Sequence, residues 1–206
     1  MINLTYIKYS ARFIWRDLYN IMLYGAGAPK SCQRAYIDPC KVKWRIAKNF
    51  PRSDSGRVLG GGWDKNVVSI KRVEKINIVE LKIATGMSWE ACGAYDHMMS
   101  LIKTRPGLDN LWNLTDIKKR YAKLDFLIED LKRGGSFRER EVFREMNGIY
   151  VHFGAGGEAI FGGGGAHRLA ICRALGLRRI PVQVGIVHSD FVRSGGYKLM
   201  IAKKDN

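Results

Sequence analysis

Four consecutive glycines, Gly162 to Gly165, run straight into AHRLAICRAL, and no other feature constrains the chain as much. A stretch without side chains cannot build the interior of a strand or helix, so it must turn. The residues after it have helical composition, and Gly176 closes that helix. The amides of such a turn are unshielded, and the first N–H groups of a helix have no partner within it. Together with the positive end of the helix dipole they suit an anion, most often a phosphate. His167 and Arg168 fall in the first helical turn, where an arginine fork grips phosphate and a histidine donates a hydrogen bond or moves a proton. Taken alone, the glycines equally fit a flexible hairpin exit with Arg168 in water.

The flanking sequence supplies strands. Ile149, Val151 and Phe153 alternate with Tyr150 and His152, Gly154 to Gly157 make a turn, and Ala159 to Phe161 return, which predicts a β-hairpin with His152 facing outward. Ile180 to Val187 reads as a strand that begins through a proline. The order is strand, strand, glycine turn, helix, strand, and it marks 146–206 as a compact C-terminal part.

The preceding residues, 1–145, read as mainly helical. Residues 5 to 24 place Phe13, Ile14, Leu18, Ile21 and Met22 near a helical period, with Gly25 at the end. Ser88 to Lys103 reads as a helix started by Ser88, and Asp116 to Arg133 as one capped by Asp116 and ended by Gly134-Gly135. In the second, Ile117, Tyr121, Leu124, Ile128 and Leu131 form a core stripe. Between the helices, Tyr36-Ile37-Asp38-Pro39 predicts a short extended piece and a turn, and Arg52 to Asp64 a loop in which Gly60, Gly61 and Gly62 let the backbone bend or approach a neighbour.

The stretch FGGGGAHRLAICRALGLRRIPVQV resembles the ParB/sulfiredoxin superfamily, and the likeness runs from about Ile149 to His188. It implies an α+β fold in which a helical N-terminal part packs on a small mixed sheet with a glycine turn at a helix N-terminus. It also implies that Gly163, Gly164, Gly165, Ala166, His167 and Arg168 cradle the phosphates of a nucleotide, ATP, ADP or CTP, with magnesium left open. Ala166 stands where sulfiredoxins carry the cysteine nucleophile, and a methyl group cannot attack a phosphate ester, so sulfiredoxin activity is excluded. Gly164 and Ala166 also replace acids found in other members, so any phosphoryl chemistry must draw its acid from elsewhere. Asp64, after Gly60 to Trp63, and Glu158, on the hairpin, are the candidates. With Tyr36 to Pro39, Arg120-Tyr121 and Leu124-Asp125, Asp64 also resembles the pattern of an uncharacterised ParB-like group. His188, at the carboxyl end of the last strand, lies where α/β sheets place ligands. His97 and His152 have no ligand partner at metal-binding spacing, and no metal site is assigned.

Charge points to a phosphate-bearing partner. The 35 basic residues outnumber 19 acids for a net +16, which attracts polyanions. The excess sits at the ends: 11 bases against 3 acids in residues 1–62, and 8 against 3 in residues 146–206. Four cysteines without CxxC spacing fit reduced thiols and a cytoplasmic protein, and no apolar run predicts a leader or membrane span. A nucleotide-phosphate-binding protein is the leading reading, with an NTPase or small-molecule phosphotransferase as the activity in view. A DNA-binding or DNA-nicking ParB-like protein is the alternative, although no helix-turn-helix follows His188. A third reading is an inactive module that binds a partner. The sequence leaves the oligomeric state open.

Overall fold

The computed structural model describes residues 4–136, 145 and 147–202, with side chains from residue 11 onward. It is α+β. Helix α1 spans Leu4–Tyr24, followed by strands β1 (Arg34–Ile37), β2 (Trp44–Ile46), β3 (Val58–Leu59) and β4 (Val67–Ser69). Helices α2 (Glu74–Thr85), α3 (Ala94–Thr104) and α4 (Leu114–Lys132) come next. The chain then forms β5 (Ile149–Phe153), β6 (Ala159–Phe161), α5 (Ala166–Ala174), β7 (Ile180–His188), α6 (Ser189–Arg193) and α7 (Gly196–Ala202). Among the described residues no helix is long and apolar enough to cross a membrane.

Two compact units share these elements. The sheet unit comprises residues 1–70, 139–165 and 178–206, and the helical unit residues 71–138 and 166–177. The division does not follow a single boundary near residue 146, and the stretch expected to be mainly helical contributes β1 to β4 to the sheet.

In the sheet unit the strand order is β1-β7-β5-β6-β2-β4, with β3 also on β7. β5 and β6 form the expected antiparallel hairpin, with Val151 opposite Phe161 and Phe153 opposite Ala159. β5 runs parallel to β7, with Ile149 opposite Val182 and Phe153 opposite Val187. All five residues of β5 are buried, so the outward-facing His152 read from alternation is corrected: both faces of this strand are covered. The His152 ring lies among Phe50, Trp63 and Tyr150, with centroids 5.5, 6.0 and 4.8 Å away. Its Nδ1 accepts from the Ile186 amide at 2.9 Å. Gly185 is glycine because any Cβ there would strike this ring.

Helix α1 is attached to the sheet unit through polar side chains. Asn20 Nδ2 donates to the carbonyls of Pro29 and Gly56 at 2.7 and 2.8 Å. Asp17 Oδ1 accepts from the Ser31 amide at 2.7 Å, and Arg16 Nη1 donates to Ser53 and Ser55 carbonyls at 2.8 and 2.7 Å. These side chains satisfy the irregular backbone at 29–31 and 53–56, whose polar groups would otherwise be orphaned under the helix. Of the stripe read as its core face, Phe13 is buried while Ile14, Leu18, Ile21 and Met22 are exposed.

In the helical unit α4 buries Ile117, Tyr121, Ile128 and Leu131, four of the five stripe residues. Its cap is Asn113, which accepts from the Asp116 amide at 2.9 Å, while Asp116 reaches back to the Trp112 amide at 3.1 Å. α3 starts at Ala94, after Gly93 with φ +75°; Ser88 instead closes a local turn with the Ala91 amide. α2 packs against α5, and Arg173 of α5 pairs with Glu80 of α2 at 2.8 Å.

Candidate functional site

β6 leaves the hairpin and delivers the glycine turn at the end of the sheet where β5 and β7 begin. The Gly162 amide donates to Tyr150 O at 2.8 Å, and the Tyr150 amide to Gly164 O at 2.9 Å, which continues the β5–β6 ladder into the turn. Gly163 has φ +95° and Gly165 φ +83°, whereas Gly162 and Gly164 are not left-handed. In the backbone nests that hold anions, residues of opposite handedness turn neighbouring N–H groups to one side, and the left-handed Gly163 and Gly165 supply half of that pattern.

Arg52 arrives at the same place. β2 runs parallel to β6, with Trp44 opposite Ile160 and Arg45 opposite Phe161, so the chain after β2 emerges at the glycine-turn end. The guanidinium of Arg52 lies against the Cα of Gly164, so close that a Cβ on Gly164 would collide with it. It is held over the Tyr150 ring at 5.2 Å, donates to Gly148 O at 2.8 Å and bonds to Gln183 Oε1. Sequence reading missed this arginine. Its only signal was a base two residues before an acid in a loop, with nothing to link it to a turn 112 residues later.

The other candidates from the sequence do not converge on that end. Asp64 is buried, and its Oδ2 accepts from the Ala155 amide at 2.9 Å, in the hairpin turn. Glu158 is exposed, and its carboxylate folds back over Gly154 in the same turn. His188 is buried at the end of β7, where Nδ1 accepts from the Asp190 amide at 3.1 Å and Nε2 therefore donates to Gly61 O at 2.8 Å. β5 separates this group from the glycine turn by about 13 Å, given about 3.3 Å per residue over its length. The structure thus brings Asp64, Glu158 and His188 to one end of the sheet and Gly163 to Gly165 to the other. An acid at the hairpin end cannot reach a phosphate seated at the turn.

Ala166, His167 and Arg168 open helix α5 in the helical unit. His167 does not present a cation to a ligand. It is buried, its Nε2 lies 3.2 Å from Tyr121 Oη, and burial, with the charges of Lys75 and Arg120, pushes its pKa down to about 3. Burial holds the Tyr121 phenol protonated. The proton-moving role expected of His167 is corrected accordingly: the imidazole is a neutral packing and hydrogen-bonding group. Arg168 is half-buried. The pattern residues Arg120-Tyr121 and Leu124-Asp125 meet here: Asp125 accepts from Trp89 Nε1 at 2.9 Å, and the Trp89 and Tyr121 rings lie 4.8 Å apart. Asp109 pairs with Lys75 at 2.9 Å and Arg120 at 3.8 Å; burial opposes its ionisation, but those cations outweigh it and hold its pKa below the usual range.

A cavity of about 400 Å³ opens in the sheet unit where β1 ends and β7 begins, lined by Tyr36, Asp38, Arg178, Arg179, Leu199 and Met200 among others. Its size is ordinary for a small-ligand pocket. The Arg179 guanidinium stacks on the Tyr36 ring at 4.5 Å, and Asp38 Oδ1 is engaged by the Cys40 amide at 2.9 Å. Ile37 opposite Ile180 puts this cavity at the same end of the sheet as the glycine turn. Among the described residues no group of three or more His, Cys, Asp or Glu side chains is placed to hold a metal. Comparison of the chain with known protein families, with characterised proteins and with solved structures finds no match in any of the three.

Proposed function

We propose that this chain is a ParB/sulfiredoxin-like protein that binds nucleotide phosphates at the glycine-turn end of its sheet, as a binder without phosphoryl transfer. The phosphate contacts come from the amides of Gly163 to Gly165 and the guanidinium of Arg52. One observation carries the reading: a turn with positive φ at Gly163 and Gly165 and an arginine pinned against the glycine between them. Unshielded amides supply hydrogen bonds in fixed directions, and a guanidinium held by Gly148 O and Gln183 is already ordered before a ligand arrives. The hairpin, turn, helix and strand follow one another from Ile149 to His188 in the order that the superfamily resemblance implies. Catalysis is left out because Asp64 and Glu158 are at the far end and His167 is neutral and buried.

The test is calorimetric titration with ATP, ADP and CTP, on the natural chain and on Arg52→Gln. The natural chain binds at least one of the three in saturable fashion, and the variant, which keeps a donor for Gly148 O but no charge, binds it at least tenfold more weakly. Equal affinity in the two proteins overturns the site, and absence of any nucleotide binding overturns the function.

A separate observation favours nucleic acid as the second reading. Lys41, Lys43, Trp44, Arg45 and Lys48 are all exposed, and no acid lies between Asp38 and Asp54. Bases interleaved with an exposed aromatic suit a phosphate backbone and a stacked base. In competition, duplex and single-stranded DNA displace a labelled nucleotide only if the two share a site; DNA binding that survives saturating nucleotide, and falls steeply with salt, places it on the β2 segment instead.

A further inference from the structure

Helix α1 is built inside out. Over residues 11–24 its polar side chains Arg16, Asp17 and Asn20 turn inward onto loop backbone, and its large apolar side chains, Phe13 excepted, turn to solvent. Trp15 is 74% exposed, Met22 73%, Tyr19 58%, Leu18 55%, Ile14 53% and Leu23 50%. Exposed apolar residues occur singly on any protein, but a contiguous face of this size, roughly 700 Å² at about 150–250 Å² per large side chain, exceeds what most monomers leave uncovered.

We propose that this face is a self-association surface on which a second copy of the chain docks, α1 against α1, antiparallel about a twofold axis. Within the exposed face Ala11, Trp15, Leu18 and Met22 follow a four-three-four spacing, the seam of two helices that pack knobs into holes. An antiparallel twofold sets Ala11 opposite Met22 and Trp15 opposite Leu18, so each large side chain meets a smaller or more flexible one. The parallel alternative would place Trp15 on Trp15 and leave a gap at Ala11. It would also bring the two Arg12 side chains together, whereas the antiparallel pair separates them along the axis by about 13 Å at 1.5 Å per residue, beyond strong repulsion in physiological salt. Area argues for the same occupant: full cover of two such faces buries at most about 1,400 Å², the scale of stable dimers, and a twofold interface needs no second kind of surface. A lipid surface fits less well, because a helix lying on a membrane keeps its basic residues along the polar flank, and here Arg16 is spent on the protein's own backbone and Arg12 pairs with Asp54 at 3.5 Å.

The experiment is light scattering on the eluting full chain at high micromolar concentration, in low and high salt, for the natural sequence, Leu18→Glu and Trp15→Glu. The natural chain runs at twice its 23.3 kDa mass and each variant at 23.3 kDa, with unchanged far-ultraviolet circular dichroism. Added salt preserves or strengthens the dimer, since it screens the repulsion of two chains of +16 without weakening apolar contact. In a Cys40→Ser background, mixed Trp15→Cys and Leu18→Cys chains cross-link to each other, whereas Ala11→Cys chains do not cross-link among themselves. A natural chain that stays monomeric overturns the proposal, whether or not it then binds vesicles of anionic lipid. Self-cross-linking through position 11 overturns the antiparallel arrangement.

Discussion

Acid should unfold this protein through two histidines that have no room for a proton. His152 lies wholly inside the sheet unit, and burial alone pushes its pKa down to about 3; His167 in the helical unit is lowered to about 3 by burial and by Lys75 and Arg120. In the unfolded chain both titrate near 6.5. Between those values the unfolded chain binds protons that the folded chain refuses, so stability is present above pH 6.5 and is lost as pH falls toward 3. Each histidine contributes a slope of about 1.4 kcal/mol per pH unit, or about 2 kcal/mol lost by pH 5. Against a total of about 5–15 kcal/mol for an ordinary domain, that is a large share. The perturbations are His152→Asn, whose side-chain oxygen can still accept from the Ile186 amide, and His167→Gln, whose amide still meets Tyr121 Oη. Urea unfolding followed by tryptophan fluorescence from pH 7.5 to 5 gives the slopes. Both variants start less stable because they leave cavities, so the comparison is between slopes, and each variant loses its own histidine's contribution. A His152→Asn protein whose stability falls with pH as steeply as that of the natural chain would refute the reasoning.

Three further outcomes are expected. Asn20→Leu leaves the carbonyls of Pro29 and Gly56 unpaired beneath α1 and lowers stability by about 2–6 kcal/mol, at about 1–3 kcal/mol for each unsatisfied group, as read by chemical denaturation; a loss below about 0.5 kcal/mol would show that water replaces the amide. Asp64→Ala removes the acceptor for the Ala155 amide, costs about 1 kcal/mol in thermal unfolding, and leaves nucleotide affinity within twofold because the hairpin turn is remote from the glycine turn; a larger change in affinity would join the two ends functionally. Gly164→Ala and Arg52→Ala combine to destabilise less than the sum of the two single changes, since the new methyl group collides with the guanidinium only while it is there; additive effects in a double-mutant cycle would refute the contact.

Local signals were legible wherever a single segment decides its own shape. The hairpin, the glycine turn, α5 and β7 follow from turn chemistry and β-rich composition, and Gly25 ends α1 with φ +77° as expected. What could not be read were decisions made by partners distant in sequence. β2 and β4 are three residues each and acquire strand geometry only from pairing, and β3 is two residues held beside β7. The alternation of β5 suggested one wet face, but burial of both faces depends on the strands and loops around it. α1 shows the same limit in reverse. Its apolar period was plain, yet whether that stripe faces inward depends on the loops at 29–31 and 53–56 needing donors and acceptors, and those loops take the polar stripe instead. For the candidate site, the residue types near the turn were readable, but Arg52 was not, because only the parallel pairing of β2 with β6 carries it there.

The glycines themselves cannot distinguish a ligand seat from plain architecture, since each already has a structural reason to lack a side chain. Gly162 packs on His152 and Tyr150, where a Cβ would lie 2.7 Å from the imidazole Nε2 and from the phenol ring. Gly163 and Gly165 adopt positive φ, and Gly164 gives way to Arg52. Replacing Gly165 with valine therefore measures the strain of a left-handed β-branched residue, whatever its effect on binding. The discriminating group is the arginine. Its guanidinium donates to Gly148 O and Gln183 Oε1, contacts that an amide supplies in part, and it carries a charge that an amide lacks. Loss of nucleotide affinity on neutralising Arg52, with the fold retained, therefore separates a site from a turn.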